Sequence, residues 1–254
     1  MSFLDLGLSE ETVRAISECG IEEPTTVQTD VIPAILKGKD IFTIAPGGCG
    51  KTMSYVLPLI DIMSRKKGLN ILIMTSDAEK SVIISDNLAM FNRFHSDTEP
   101  AEGSTDDEAD VIIGSPDLLM ELVADRQIDL SKINVLVVDD INLIKKNKQI
   151  KNMEKILEML PADKQNIVYT NRRSKEMQGI LDKILKAPEE IKVDKKKEQE
   201  AQKNMPQSAP RNRAENADQA CDPEAVELMK KYHTFGNKTP KFLLLKGKIA
   251  DDKE

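Results

Sequence analysis

Short apolar runs separated by longer amphipathic stretches set the rhythm of this chain. Ile41 to Ile44, Ile71 to Met74, Val111 to Ile113, Val135 to Val138 and Ile167 to Tyr169 are too short for helices and lack the polar alternation of a half-exposed strand. They predict strands buried on both faces. Between them, apolar residues recur at helical spacing near Ser9 to Cys19, Thr26 to Leu36, Lys51 to Met63, Ala78 to Phe94, Gln149 to Leu160 and Ser174 to Leu185. A further helix begins with Ser115 as N-cap and Pro116 in its first turn. Alternating strands and helices predict an α/β fold. Right-handed crossovers then require a parallel sheet with helices on both faces and a ligand site at the carboxyl ends of the strands.

The chemistry sits at one such end. Ala45-Pro46-Gly47-Gly48-Cys49-Gly50-Lys51-Thr52 joins the first strand to the Lys51 helix and reads as a phosphate-binding loop. Gly48 and Gly50 let backbone N–H groups turn inward around a polyphosphate, and the helix N-terminus favours the anion. Lys51 is spaced to reach the β and γ phosphates, and Thr52 to ligate Mg²⁺. The general pattern of such loops has Gly where this chain has Ala45. A second cue is the apolar run Ile133 to Val138, which ends in Asp139-Asp140-Ile141-Asn142, so that Asp139 is the natural metal-side carboxylate.

Residues on both sides of the loop place the chain in a family context. Phe3, Gly20-Ile21-Glu22-Glu23-Pro24-Thr25-Thr26-Val27-Gln28, Ile32-Pro33 and Gly38-Lys39-Asp40 resemble the entry segment of DEAD-box RNA helicases, and the opening looks most like the bacterial branch. In that family the loop reads Ala-x-x-Gly-x-Gly-Lys-Thr, which Ala45 to Thr52 match in full. The resemblance covers about residues 3 to 193 and implies a RecA-like P-loop NTPase domain that binds ATP or ADP with Mg²⁺. It also implies that Gln28 reads the adenine edge and that Phe3 helps wall the adenine site. Lys51, Asp139 and Asp140 would be its catalytic residues, with Thr52 and Asp139 on the metal.

The match weakens where the family spends its nucleotide. Thr75-Ser76-Asp77-Ala78-Glu79 stands where the family has Pro-Thr-Arg-Glu-Leu, and Ser115-Pro116-Asp117-Leu118 where it has Thr-Pro-Gly-Arg, so two RNA-gripping arginines are replaced. Asp-Glu-Ala-Asp becomes Asp139-Asp140-Ile141-Asn142, with a shorter carboxylate at Asp140 and no charge at Asn142. The coupling Ser-Ala-Thr becomes Thr170-Asn171-Arg172. The acidic run Ser96 to Asp110 contains no Lys or Arg and reads either as a solvated loop or as a repellent of phosphates. Only about sixty residues follow Val193, fewer than a second doubly wound domain needs. Nucleotide binding is therefore expected to be better preserved than hydrolysis.

Composition refines this picture. A net charge of -7 and a pI near 5.2 argue against general affinity for nucleic acid, and without Trp there is little for base stacking. No run is long enough to span a membrane and Asp5 interrupts any signal-peptide core, so a cytoplasmic location is expected. Cys19, Cys49 and Cys221 lack metal-ligand spacing, and His95 and His233 are expected to be isolated surface residues. The expected organisation is a RecA-like domain over 1–193, a disordered linker over 194–221 and a low-complexity tail over 222–254, with a short helix and strand. The expected function is ATP binding with weak or absent hydrolysis and weak RNA binding. The alternatives are a split helicase completed in trans by a protein partner carrying a second RecA-like domain, a nucleotide-gated adaptor, and a truncated gene product.

Overall fold

The computed structural model describes residues 1–66, 68–95 and 111–193. The acidic run Ser96 to Asp110, the expected linker and the expected tail, with Cys221 and His233, lie outside the described residues. In chain order the elements are α1 (Glu10–Glu18), α2 (Thr26–Leu36), β1 (Ile41–Ile44), α3 (Lys51–Arg65), β2 (Ile71–Met74), α4 (Ala78–Phe91) and β3 (Val111–Gly114). Then come α5 (Pro116–Ala124), β4 (Val135–Val138), α6 (Ile141–Lys146), α7 (Ile150–Met159), β5 (Gln165–Thr170), α8 (Gln178–Ile184) and β6 (Glu189–Lys192). The strands form one sheet in the order β3-β2-β4-β5-β1-β6, with every pairing parallel.

The central strands β2 and β4 are apolar throughout because the sheet has two cores to fill. Ile71, Ile73, Val135, Val137, Ile167 and Tyr169 face one core, which Ile16, Val31, Leu59 and Leu88 complete from α1 to α4. Their alternate neighbours Leu72, Met74, Leu136, Val138 and Val168 face the other, closed by Leu119, Ile144, Ile156 and Leu181 from α5 to α8. Each fully buried aliphatic side chain contributes about 1.5–3 kcal/mol relative to exposure, so a polar residue on either face would be felt. The edge strand β6 follows another rule: it buries Ile191 and exposes Glu189, Glu190 and Lys192. Charges of this kind discourage pairing with a further strand.

One buried charge anchors α1 to the rest. Asp61 on α3 is fully buried, a costly position unless its oxygens are bonded. It accepts from the Ser9 amide at 2.6 Å and hydroxyl at 2.8 Å, from the Thr12 hydroxyl, and from Arg65 at 3.2 Å. His95 corrects the sequence expectation of a surface residue. Its ring lies 2.8 Å from the Thr12 hydroxyl and 3.8 Å from Asp61, with only 8% of the side chain exposed. Burial holds its pKa below the ordinary value, against the pull of Asp61 and Glu11. Among the described residues no helix is long and apolar enough to cross a membrane.

Candidate functional site

Parallel pairing in register brings the carboxyl ends of the strands to one edge. The ladder runs one step beyond them, with the Ala45 amide donating to Thr170 O, Asp139 to Met74 O and Thr75 to Gly114 O, each at 3.0 Å. Side chains distant in sequence therefore meet there. They are those of the 45–52 loop, of 75–80 after β2, of Asp139 and Asp140 after β4, and of Thr170 at the end of β5 with Asn171 to Arg173 beyond it.

The loop is braced from behind by the start of α2. Thr25 and Gln28 form a reciprocal capping box, in which the Thr25 amide donates to Gln28 Oε1 at 2.9 Å. The same two side chains hold the loop, Thr25 Oγ1 donating to Cys49 O at 2.9 Å and Gln28 Nε2 to Gly50 O at 3.3 Å. Gly50 has φ of +86°, and a Cβ there would lie 2.7 Å from Gln28 Nε2 and 2.9 Å from Thr25 Oγ1. Gly48 also has positive φ, at +77°. Gly50→Ala should therefore cost about 2 kcal/mol from the left-handed backbone and the clash together, measurable by urea unfolding. It should weaken nucleotide binding as well, because the brace itself is displaced. Cys49, whose thiol donates to Pro46 O at 3.1 Å, is buried inside the loop.

Lys51 begins α3 and folds back across the loop, donating to Ala45 O at 3.1 Å. Its ammonium lies 4.0 Å from Asp140 Oδ2, with both side chains largely buried. Asp140 is the N-cap of α6, accepting from the amides of Asn142 at 3.0 Å and Leu143 at 3.3 Å. Burial pushes its carboxyl above the ordinary carboxylate value, while Lys51 and the two amides pull the other way. Asp140 thus serves as a helix cap and stands beside the Lys51 ammonium.

Asp139 lies deeper. Its Oδ1 accepts from the Tyr55 hydroxyl at 2.9 Å, and its Oδ2 lies 3.7 Å from the Lys80 ammonium. Burial and the Asp139 charge keep the Tyr55 phenol protonated well above its usual range, and a hydrogen bond with Thr52 works in the opposite direction. Tyr55 therefore joins the two residues expected to hold metal. Beneath it, Tyr169 packs at 5.3 Å between ring centroids and shares a 2.7 Å hydrogen bond with Ser54, whose hydroxyl also lies 2.6 Å from Lys51 O. Sequence reasoning missed Tyr55, Ser54, Tyr169, Thr25 and Lys80. Tyr55 carried a usable signal, since it lies one helical turn after Thr52 and must share its face.

Asn142 has lost a charge and kept a connection. Its amide donates to Thr170 Oγ1 at 2.6 Å, to Asn171 Oδ1 at 3.1 Å and to Arg172 O at 2.8 Å. The segment after β5 is thus tied to the helix that Asp140 caps. Elsewhere the substituted residues take structural work: Asp77 caps α4 by accepting from the Lys80 amide at 2.9 Å, and Asp117 accepts from Asn152 at 2.7 Å. Arg173 pairs with Glu190 at 3.0 Å and lies over Phe42. Phe3, the expected wall of an adenine site, is buried in the core on the α1 to α4 side.

This fold and loop define a RecA-like P-loop domain, and comparison with known proteins supplies the family. The DEAD/DEAH box helicase family matches residues 25–175, more than half of the chain, and the chain belongs to that family. It is 29% identical over 180 residues to the ATP-dependent RNA helicase DBP9 of Pyricularia oryzae, covering 63% of this chain and 28% of that protein. It is 26% identical over 170 residues to the RNA helicase CrhR of Synechocystis, covering 63% and 35%. To the ATP-dependent RNA helicase DeaD of Escherichia coli it is 24% identical over 204 residues, covering 76% and 32%. The chain thus spans about a third of the length of the curated relatives it matches. In structure it is similar to a DEAD box protein of Methanococcus jannaschii, with a TM-score of 0.68 at 24% identity over 76% of this chain and 56% of that one. A hypothetical ATP-dependent RNA helicase of Sulfolobus tokodaii gives 0.64 at 24% identity, over 73% and 57%. The RecA-like parallel sheet expected from the sequence is the fold these structures share with it.

Proposed function

We propose that residues 1–193 bind ATP or ADP at the 45–52 loop, hydrolyse ATP slowly or not at all by themselves, and bind RNA weakly. The observation that carries this reading is the braced loop, with Lys51 across its mouth and Asp140 beside the ammonium. Gln28 would select adenine, Phe3 would support the base from the core side, and the amides around Gly48 and Gly50 would hold phosphate. Thr52 and Asp139 offer the hard oxygen donors that Mg²⁺ takes, and they would hold it against the phosphates. Once bound, the ion would neutralise phosphate charge.

Slow hydrolysis follows from what faces the site. An arginine finger contributes about 10³ to 10⁵ in phosphoryl-transfer rate. Among the described residues the nearest candidates in sequence are exposed Arg172 and Arg173, and the latter is engaged with Glu190. Weak RNA binding follows from Asp77, Asp117 and Leu118, which stand where the family resemblance places RNA-gripping residues. A second reading is favoured by the Asn142 network: a second RecA-like domain from a protein partner completes the site in trans, and the tie from Asn142 to Thr170 carries nucleotide state to it.

Nucleotide titration followed by ATPase assay with and without RNA tests both readings. The expected result is Mg-ADP and Mg-ATP binding in the micromolar to millimolar range, with turnover indifferent to RNA. RNA binding should be weak and fall steeply with salt. Submicromolar RNA affinity at physiological salt, or RNA-stimulated turnover by the chain alone, would overturn it.

A further inference from the structure

We propose that the turn between α6 and α7 is a phosphodiester-binding surface, where Lys146, Lys148 and Lys151 contact an RNA backbone in place of the arginines lost at Asp77 and Leu118. The inference rests on the RNA-binding reading above and concerns where that weak contact is made. From Ile141 to Met153 the sequence carries Lys145, Lys146, Lys148 and Lys151 and no Asp or Glu, in a chain whose net charge is -7. Lys145 pairs with Glu176. Lys146, Lys148 and Lys151 are exposed, and none of them is in an ion pair among the described residues.

Side-chain bonds set this turn beside the two altered segments. Asn147 donates from Nδ2 to Ser76 O at 2.8 Å, next to Asp77, and its chain neighbours are Lys146 and Lys148. Asn152 donates to Asp117 Oδ1 at 2.7 Å, and its chain neighbour is Lys151. The lysines thus stand against both places where the family resemblance puts RNA-gripping residues. Local helix physics accounts for only one of them. Lys146 is in the last turn of α6, where the helix dipole favours a cation, but Lys151 is in the first turn of α7, where it disfavours one. Lys148 has φ of +62°. It ends α6 in the left-handed conformation, with its amide donating to Lys145 O at 2.9 Å and the Gln149 amide to Ile144 O at 3.2 Å, the paired bonds of a helix end that glycine serves best. Strain of this kind is kept where a side chain is needed. The turn has no aromatic residue, so the surface reads phosphate charge and not bases. Asp77 and Asp117, which remain beside the lysines, keep the contact weak.

The test titrates the full chain with a labelled oligouridylate by fluorescence anisotropy over a range of low salt concentrations. Lys146→Gln, Lys148→Gln and Lys151→Gln are combined in one variant. Lys37→Gln, Lys66→Gln and Lys132→Gln form the control, which removes the same charge from exposed lysines that precede β1, β2 and β4 at the opposite edge of the sheet. The turn variant should lose at least about tenfold in affinity at low salt and flatten the slope of log K against log salt by about 2, at about 0.7 per phosphate contact, while the control stays within about twofold of wild type. Lys148→Gly should move two readouts in opposite directions: a Tm about 2–4 °C higher, from relief of the left-handed backbone, and an RNA affinity severalfold lower. Undiminished binding by the turn variant, equal losses in turn and control variants, or full affinity in Lys148→Gly would each overturn the inference and leave weak RNA binding standing. Labelled polyglutamate bound as tightly as the RNA would make this a surface for acidic chains and overturn it too. Absence of RNA binding by wild type at every salt concentration would remove the RNA reading, and this inference with it.

Discussion

Lys51→Ala should remove most adenine-nucleotide binding, weakening Kd by roughly a hundredfold, equivalent to about 3 kcal/mol of charge-assisted hydrogen bonding to phosphate. The lysine is already in place, drawn across the loop by Ala45 O at 3.1 Å, so its ordering is largely complete before ligand arrives. Its loss also leaves Asp140 without the cation 4.0 Å away, and the carboxyl pKa should rise further from a value that burial has already raised. The folded-state pKa of Asp140 lies above its unfolded value, so charging it opposes folding. That penalty is present above the folded pKa and is relieved as pH falls through it. The stability loss of Lys51→Ala should therefore be larger at neutral pH than in mild acid. Gln28→Ala separates two roles in the same titration. Loss of selectivity for ADP over GDP reports base recognition, and weaker affinity for both reports loss of the bond to Gly50 O. No ATP or ADP heat at millimolar concentration would contradict the whole reading.

Much of this arrangement was legible because it is written in adjacent residues. The strands around Ile41, Ile71, Val135 and Ile167 are contiguous apolar runs, and the loop from Ala45 to Thr52 carries its glycines, lysine and threonine at fixed spacing. What was hidden depends on strand order. Nothing local says that Met74 pairs with Val138, so the meeting of Lys80 with Asp139 could not be read from the chain. The same holds for Asn142, which follows β4, and Thr170, which ends the neighbouring strand β5. Loss of charge at Asn142 suggested a weakened link, yet its amide donates where a carboxylate would accept, and the hydroxyl and carbonyl of the 170–172 segment take the bonds. The strand β6 escaped notice because Glu189-Glu190-Ile191-Lys192 has a single apolar residue, the signature of a polar edge. Helix α6 escaped because its cap, Asp140, was read for chemistry alone.

If the chain is a damaged catalyst, Asp140→Glu should raise ATP turnover by up to about a hundredfold, and only when a second RecA-like domain supplies an arginine finger in trans. The longer side chain restores the carboxylate length that the family uses to orient water, and misplacement by about 1 Å is worth a factor of that size. The finger is the larger contribution, at about 10³ to 10⁵, so a repaired carboxylate without it has little to amplify. The structure adds a cost. Asp140 accepts from the Asn142 and Leu143 amides as the N-cap of α6, a role that glutamate fills poorly, so the variant should lose about 1 kcal/mol in urea unfolding. A nucleotide switch predicts something else: no gain in turnover, but different protection of amides by ATP and ADP around Asp139 to Asn142 and Thr170 to Arg172, the segments joined by the Asn142 bonds. Hydrogen exchange in the nucleotide-free, ADP and ATP states separates the two when combined with rates measured beside the second RecA-like domain of a relative. Identical exchange in all three states eliminates the switch, and unaltered rates for Asp140→Glu with a competent partner domain eliminate the damaged catalyst. The α6 cap favours the switch. In the switch reading a carboxylate held by two amides at a helix start would pass nucleotide state to Asn142 and onward to Thr170, and lengthening it for catalysis would loosen that connection.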